Sequence, residues 1–204
     1  MKIVFITGAG ISTASGLPTY RGANGLYGNE PIEDGYRIDE ILSRKIANIR
    51  PDLFNKYHGQ IEKAIALVEP NTMHYAIAAL QEQHDVRIYT QNIDDLHERA
   101  GSKHVVHLHG GGAEKEPVIL FGDYLDPQKL KWMKAACKAA DILVLVGSSA
   151  AFHYIQRPFK KAKYDHPQVF ILDPDPQHPL ADTGVHKKNP SEYADIIKII
   201  PELF

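Results

Sequence analysis

Short, mainly apolar runs set the tightest limit on how this chain can fold. They fall at residues 3–7 (IVFIT), 86–90 (VRIYT), 105–108 (VVHL), 142–146 (ILVLV), 169–172 (VFIL) and 196–200 (IIKII). Successive side chains of a strand point to opposite faces, so a strand apolar throughout suits a sheet covered on both sides. Between these runs lie helical patterns at residues 54–68, 71–83, 128–140 and 155–163. Asn71 after Pro70, and Asp126-Pro127, are good helix starts. Strand, crossover helix and strand in turn imply an α/β fold: a Rossmann-like parallel sheet with helices on both faces.

Residues 23–50 mix Gly, Asn, Pro and charge, and read as a loop leading into a small helical insert at about 30–68. Residues 173–190 are a second turn-rich stretch, expected to cross the surface to a last strand at 196–200. The 204 residues therefore suit one catalytic domain, 1–204, carrying that insert. The formal net charge of -2 gives no basic surplus for nucleic acid or an acidic membrane. No apolar run approaches membrane length, and no secretory leader is visible, so a cytoplasmic protein is expected. The single cysteine, Cys137, excludes a disulfide within the chain and any cysteine-cluster zinc site. It falls in a helical run and reads as a buried structural thiol.

The first apolar run ends in Gly8-Ala9-Gly10-Ile11-Ser12. Glycines there let the backbone turn sharply and approach a pyrophosphate, and a following helix would aim free N–H groups at it. A tight turn alone explains the same residues. The third glycine of the usual dinucleotide fingerprint would fall at Thr13, which counts against a hydride-transfer enzyme. Three more polar clusters follow apolar runs, where open α/β sheets place ligands. Gln91, Asn92 and Asp94 suit a carboxamide or ribose hydroxyls, or else a helix cap. His107-Leu108-His109 is followed by Gly110-Gly111-Gly112; one histidine suits a general base, and His107 suits a structural role. Gly147-Ser148-Ser149 suits ribose or phosphate oxygens, or a turn and cap.

Taken together, these blocks resemble the sirtuin family of NAD-dependent protein deacylases. Residues 8–22 (GAGISTASGLPTYRG) resemble its opening signature and residues 90–101 (TQNIDDLHERAG) its second. His107-Leu108-His109-Gly110, Phe121-Gly122-Asp123 and Gly147-Ser148-Ser149 resemble later blocks, in the family's order over nearly the whole chain. The resemblance implies NAD as co-substrate, with Gly8, Ala9, Gly10, Ile11, Ser12, Ser15, Pro18, Tyr20 and Arg21 around its pyrophosphate and nicotinamide ribose. Gln91, Asn92 and Asp94 would hold ribose and carboxamide. Gly147, Ser148, Ser149 and Asp173 would hold the adenosine half. His109, before glycine, matches the catalytic histidine, with Asn92 and Asp94 beside it. Val118 to Phe121 would pair with an acyl-lysine protein or peptide. The implied products are free lysine, nicotinamide and an acylated ADP-ribose.

The sequence also departs from that pattern. Most sirtuins carry a four-cysteine zinc module where only residues 111–117 (GGAEKEP) stand here, so no zinc or other metal is expected, and the insert must be held by its own packing. Thr19 replaces a commoner aspartate, as in the branch that removes acidic acyl groups. That branch pairs the acyl carboxylate with a Tyr-x-x-Arg motif. The match here is Tyr57-His58-Gly59-Gln60, and Gln60 cannot supply the charge; Tyr57 is alternatively a core aromatic of the insert. An NAD hydrolase or ADP-ribosyltransferase on the same fold, and a non-catalytic NAD or ADP-ribose sensor, stand as the other readings.

Overall fold

The computed structural model describes residues 1–20, 25–26, 28, 30–165 and 167–203. Strand β1 (Lys2–Thr7) lies at the centre. The insert follows with helices α1 (Ile38–Ile41), α2 (Arg44–Ile49) and α3 (Pro51–Leu67), then α4 (Thr72–Leu80), β2 (Asp85–Thr90), α5 (Leu96–Arg99) and β3 (Val105–His107). The second half runs through α6 (Pro127–Ala139), β4 (Ile142–Val146), α7 (His153–Asp165), β5 (Gln168–Leu172), β6 (Val185–Lys187) and α8 (Tyr193–Ile199). All strand pairs are parallel, in the order β3-β2-β1-β4-β5-β6. The chain builds outward from β1 to β3, then returns to lay β4 on the other side of β1. That reversal opens a crevice beyond the carboxyl ends of β1 and β4, where sheets of this kind take ligands.

The apolar runs form strands because both faces are covered. Ile3 and Phe5 point into a core closed by Met73 and Ile77 of α4 and by Tyr193 and Ile197 of α8. Val4 and Ile6 point the other way, against Met133 and Cys137 of α6 and Ile155 and Phe159 of α7. Every residue of β4 is at most 1% exposed, and each such side chain contributes roughly 1.5–3 kcal/mol by leaving water. The expected helix starts hold. Asn71 Oδ1 accepts from Met73 N at 3.0 Å, and Asp126 Oδ1 from Gln128 N at 2.7 Å ahead of Pro127. Cys137 is buried, and burial pushes its thiol up to about 12.

Three expectations change. Residues 196–200 are not a strand but lie in α8 and the 3₁₀ turn after it. Tyr193, Ile197 and Ile200 are buried at spacings of four and three, the helical period. The sixth strand is instead β6, inside the turn-rich stretch; at the sheet edge it is mostly exposed, so it carries no apolar run. The helix after the glycine turn is a 3₁₀ helix, Ala9–Ser15. The insert has its own small core of Ile41, Ile46 and Leu53, flanked by Tyr36, Phe54 and Tyr57.

Between α4, α5 and β1 two histidines lie fully enclosed. His97 Nε2 meets Thr7 Oγ1 at 3.0 Å, His74 Nδ1 accepts from Asn71 N at 3.3 Å, and the rings meet edge-on at 4.9 Å. Burial pushes His74 down to about 4, against a smaller upward pull from Glu98, and drives His97 well below its ordinary value. Both stay neutral when folded, whereas in the unfolded chain they take up protons below about pH 6.5. Their contribution is therefore complete above that pH and is lost as pH falls from there, for His74 towards about 4. His107 opposes this in part: despite burial, its bond to Glu98 raises it, so its contribution fades as pH rises. Between pH 7.5 and 5.5 stability should fall, read as a lower urea midpoint, and should fall less in His74→Gln. An unchanged midpoint would contradict this account.

Candidate active site

Glycines bring the ends of β1 and β4 into contact. Gly8 N–H donates to the Val146 carbonyl at 3.0 Å, and Gly10 N–H to that of Gly147 at 2.8 Å. A Cβ on Gly10 would lie 2.6 Å from Gly147 Cα, and one on Gly8 2.8 Å from the Gly147 oxygen and Ser148 Cβ. Gly147 has a φ of +57°, in the left-handed region. No other residue fits these positions without moving the backbone.

A cleft of about 980 Å³ opens over this contact. Gly8, Ala9, Gly10, Tyr20, Gln91, Asn92, His109, Gly147, Ser148, Ser149 and Asp173 line it, and Val118 and Phe121 line its wall. A smaller cavity of about 280 Å³ continues under the insert, lined by Ser12, Pro18, Tyr57, Gln60 and Asp94 and sharing Ala9, Tyr20 and Asn92 with the cleft.

The polar groups at its floor hold one another. Ser12 Oγ donates to Asp94 Oδ2 at 3.0 Å and lies 3.2 Å from Asn92 Nδ2. Asp94 Oδ1 also accepts from Leu96 N at 3.3 Å, so the carboxylate serves the start of α5 as well. Gln91 Nε2 donates to Ser148 Oγ at 2.7 Å, bridging the two halves of the sheet. Burial raises the Asp94 carboxyl and, helped by the charge of Asp94, lifts Tyr20 to about 12. At the end of β5, burial raises Asp173. His109 is pushed down by burial, opposed by the Gln91 carbonyl, and is therefore a neutral imidazole near pH 7. His107 is spoken for at both nitrogens, by the Asn92 carbonyl at 2.8 Å and Glu98 at 2.7 Å.

The wall opposite is tied to the insert. Arg44 grips Asp123 through two bonds of 2.9 and 2.8 Å, and its N–H donates to the Phe121 carbonyl at 2.9 Å. The Ile119 N–H donates to the His109 carbonyl at 2.8 Å, so the strip 118–121 is held beside the histidine. Among the described residues no group of three or more His, Cys, Asp or Glu side chains is arranged to hold a metal ion.

Two sequence candidates stand apart from both cavities. Ile11 is fully buried in the core, and Ser15 Oγ accepts from Asn71 Nδ2 at 2.9 Å near the start of α4. Arg21 lies outside the described residues. One functional candidate went unread in the sequence. Tyr154 lines the cleft and places its hydroxyl 2.7 Å from His109 Nε2. An aromatic at a helix start carries no signal of this by itself.

A Rossmann-like sheet with a glycine-floored cleft at its switch point and a neutral histidine on the rim defines a nucleotide-binding α/β enzyme scaffold. Residues 8–116 match the model of the Sir2 family. The chain is 32% identical over 211 residues to NAD-dependent protein deacylase 2 of Pseudomonas syringae pv. tomato, covering 86% of this chain and 85% of the relative. It is 29% identical to an NAD-dependent protein deacylase of Helicobacter pylori, over 99% and 97% of the two chains. Among solved structures, a Sir2 homologue complex with ADP-ribose superposes with a TM-score of 0.83 at 26% identity, over 98% and 92% of the chains. A Sir2 homologue–NAD complex gives 0.83 at 25% identity, over 98% and 90%. The chain belongs to the Sir2 family.

The glycine contact yields a direct test. Gly10→Ala must push β1 and β4 apart, which should cost about 1–3 kcal/mol in urea unfolding and weaken NAD binding in calorimetry. Ala14→Gly, at a neighbouring position lining the same cleft, should weaken NAD binding far less.

Proposed function

We propose that this chain is an NAD-dependent protein-lysine deacylase, with NAD as co-substrate and an acyl-lysine protein or peptide as its other substrate. The observation that carries the reading is a neutral His109 on the rim of a cleft whose floor is glycine backbone. The cleft suits NAD on its own terms. Gly8, Gly10 and Gly147 line the cleft, so a pyrophosphate there meets backbone, and about 980 Å³ accommodates a dinucleotide and a peptide end. Gln91, Asn92, Asp94 and Ser12 are the polar groups placed for ribose and carboxamide, and Ser148, Ser149 and Asp173 for the adenosine half. Val118 to Phe121 offer an extended strip for a substrate peptide. NAD, when bound, supplies an electrophilic C1′ from which nicotinamide departs. His109, held neutral by burial, takes a proton at an imidazole nitrogen from a ribose hydroxyl. A cytoplasmic setting belongs to this reading, because the only thiol is buried and unpaired. Among the described residues no helix is long and apolar enough to cross a membrane.

Tyr57 and Gln60 line the smaller cavity together with Leu17, Ile61 and Ile65. The Tyr57 hydroxyl donates to Glu33 at 2.9 Å, a carboxylate that also pairs with Lys56. Tyr57 is thus tied to an anion, and Gln60 brings no charge. An acidic acyl group gains no ion pair from either.

Nicotinamide release in the presence of acetyl-lysine peptide, matched by free lysine, is the expected result. NAD consumption with peptides left intact would overturn the deacylase reading in favour of hydrolysis or ADP-ribosyl transfer. Absence of any turnover would favour a sensor. His109→Ala should lower deacylation by about 100-fold or more while leaving NAD binding within a few-fold.

A second expected outcome concerns the acyl group. Acetyl-lysine should be preferred to succinyl-lysine, and Gln60→Arg should raise the succinyl-to-acetyl ratio of kcat/KM by about tenfold, the effect of one partly buried charge pair. A wild-type preference for succinyl would refute this account of the cavity.

A further inference from the structure

The His109 imidazole is hydrogen-bonded at Nε2. The Gln91 carbonyl acts on the ring from the strand side. On the other side, Nε2 and the Tyr154 oxygen are 2.7 Å apart. Burial keeps the Tyr154 phenol protonated well above its ordinary range, so it has a proton to donate, and Nε2 accepts it when the ring carries its own proton on Nδ1. A neutral ring that accepts at Nε2 carries its proton on Nδ1.

Tyr154 is well braced for this. Its ring stacks on Phe152 at 5.5 Å with 19° between planes, and Phe152 meets the His109 ring edge-on at 6.1 Å. The turn before it is fixed by Ala150, at a φ of +48°, whose N–H donates to Ser148 Oγ at 3.3 Å. Gln156 closes the turn by donating to the Ala150 carbonyl at 2.9 Å. The position of Tyr154 thus derives from the same Gly147-Ser148 corner that touches Gly10. Pro158, inside α7, lacks the N–H that would bond the Tyr154 carbonyl one turn back. The first turn of α7 keeps the side-chain contacts but is released from that backbone bond.

We propose that Tyr154 is the positioning residue of the catalytic base: its hydroxyl, 2.7 Å from Nε2 of His109 in the cleft, fixes the ring's orientation and its Nδ1–H tautomer. The proposal rests on His109 being the base of the deacylase reading. Nε2 is then the basic nitrogen, and a substrate hydroxyl reaches it by replacing Tyr154 as donor. The donor also stabilises the neutral ring, which keeps the base free of solvent protons below neutral pH. The other ionisable groups lining the cleft are Tyr20, His58, Asp123, Asp173, Asp175 and Tyr193.

The test uses full-length protein labelled with 15N-histidine, with His109 assigned by loss of its signal in His109→Asn. Tyr154→Phe keeps the ring and its stack on Phe152 and removes only the donor. The wild-type ring should show the Nδ1–H tautomer and titrate below 6.5. In Tyr154→Phe the tautomers should mix, and the midpoint should rise by about half to one pH unit, the worth of one hydrogen bond. The acid limb of kcat/KM for deacylation should move by the same amount, with KM for NAD within about twofold, since a donor lost from the base acts on proton transfer. An unchanged tautomer and midpoint would overturn the proposal, even with normal deacylation in both proteins. A shifted ring with no deacylation in either protein would refute the assigned activity and leave the Tyr154–His109 pair standing.

Discussion

Gly10 and Gly147 touch at the point where the sheet reverses its direction of growth, and the cleft exists because they do. Only backbone lies between β1 and β4 there, with a 2.8 Å hydrogen bond and no room for a Cβ. The consequence runs outward along both halves of the chain. On the β1 side the chain goes straight into the 3₁₀ turn that presents Ser12 to Asn92 and Asp94. On the β4 side it goes through Ser148 and Ala150 to Tyr154. Gln91 Nε2 closes the ring by reaching from β2's end to Ser148. Groups far apart in sequence are therefore held at fixed distances by a few steric exclusions, which leave less freedom than side-chain contacts would.

The polar layer at the strand ends is buried, and that burial does chemical work. A carboxyl taken from water is raised and an imidazole is lowered, so both drift towards their neutral forms. Asp94 and His109 show these two drifts side by side. His74 and His97 show the same effect deeper in the protein, where it bears on stability in acid. His107 is the exception, because Glu98 sits 2.7 Å from its ring. The adjacent histidines 107 and 109 thus differ in proton affinity through their neighbours alone, and only the one without an anionic partner is suited to act as a base.

Much of this was legible in the sequence. The central strands announced themselves because each is apolar on both faces, and α4 and α6 because Asn71 and Asp126-Pro127 cap them in ways that depend on local chemistry only. The edge strand β6 did not, since an edge strand is half in water and needs no apolar run. Residues 196–200 misled for the opposite reason. Ile-Ile-Lys-Ile-Ile fits a buried strand, but Tyr193 three residues earlier completes a helical stripe that only packing on α4 selects. In the site, the motif residues near the glycine turn, Asn92 and His109 converge on one cleft, whereas Ile11 turned into the core: a contiguous motif alternates between facing ligand and facing core. Tyr154 was invisible because its role depends on the tertiary distance to His109.

The wall of the cleft stands without the cysteine module that the sequence lacks, and glycines explain how. Gly110, Gly111 and Gly112 all have positive φ, and a Cβ on them would collide with Pro117, Ile93 and the His107 ring respectively. The chain is thereby folded tightly back on itself, with Gly111 bridged to Glu116 in antiparallel fashion. Lys129 of α6 then ties the loop down, reaching the His107 carbonyl at 2.8 Å and the Glu116 carboxylate. Arg44 does the same from the insert through Asp123. In this arrangement strip 118–121 is held from both sides, by the sheet through Ile119 to His109 and by the insert through Phe121 to Arg44. A short loop can replace a metal-bound module when its path is sterically forced and its two ends are pinned by charge. The Arg44–Asp123 pair is a partly exposed contact that screening weakens, whereas the backbone bonds from Ile119 to His109 and from Arg44 to Phe121, like the glycine contact at the floor, have no ionised group to screen.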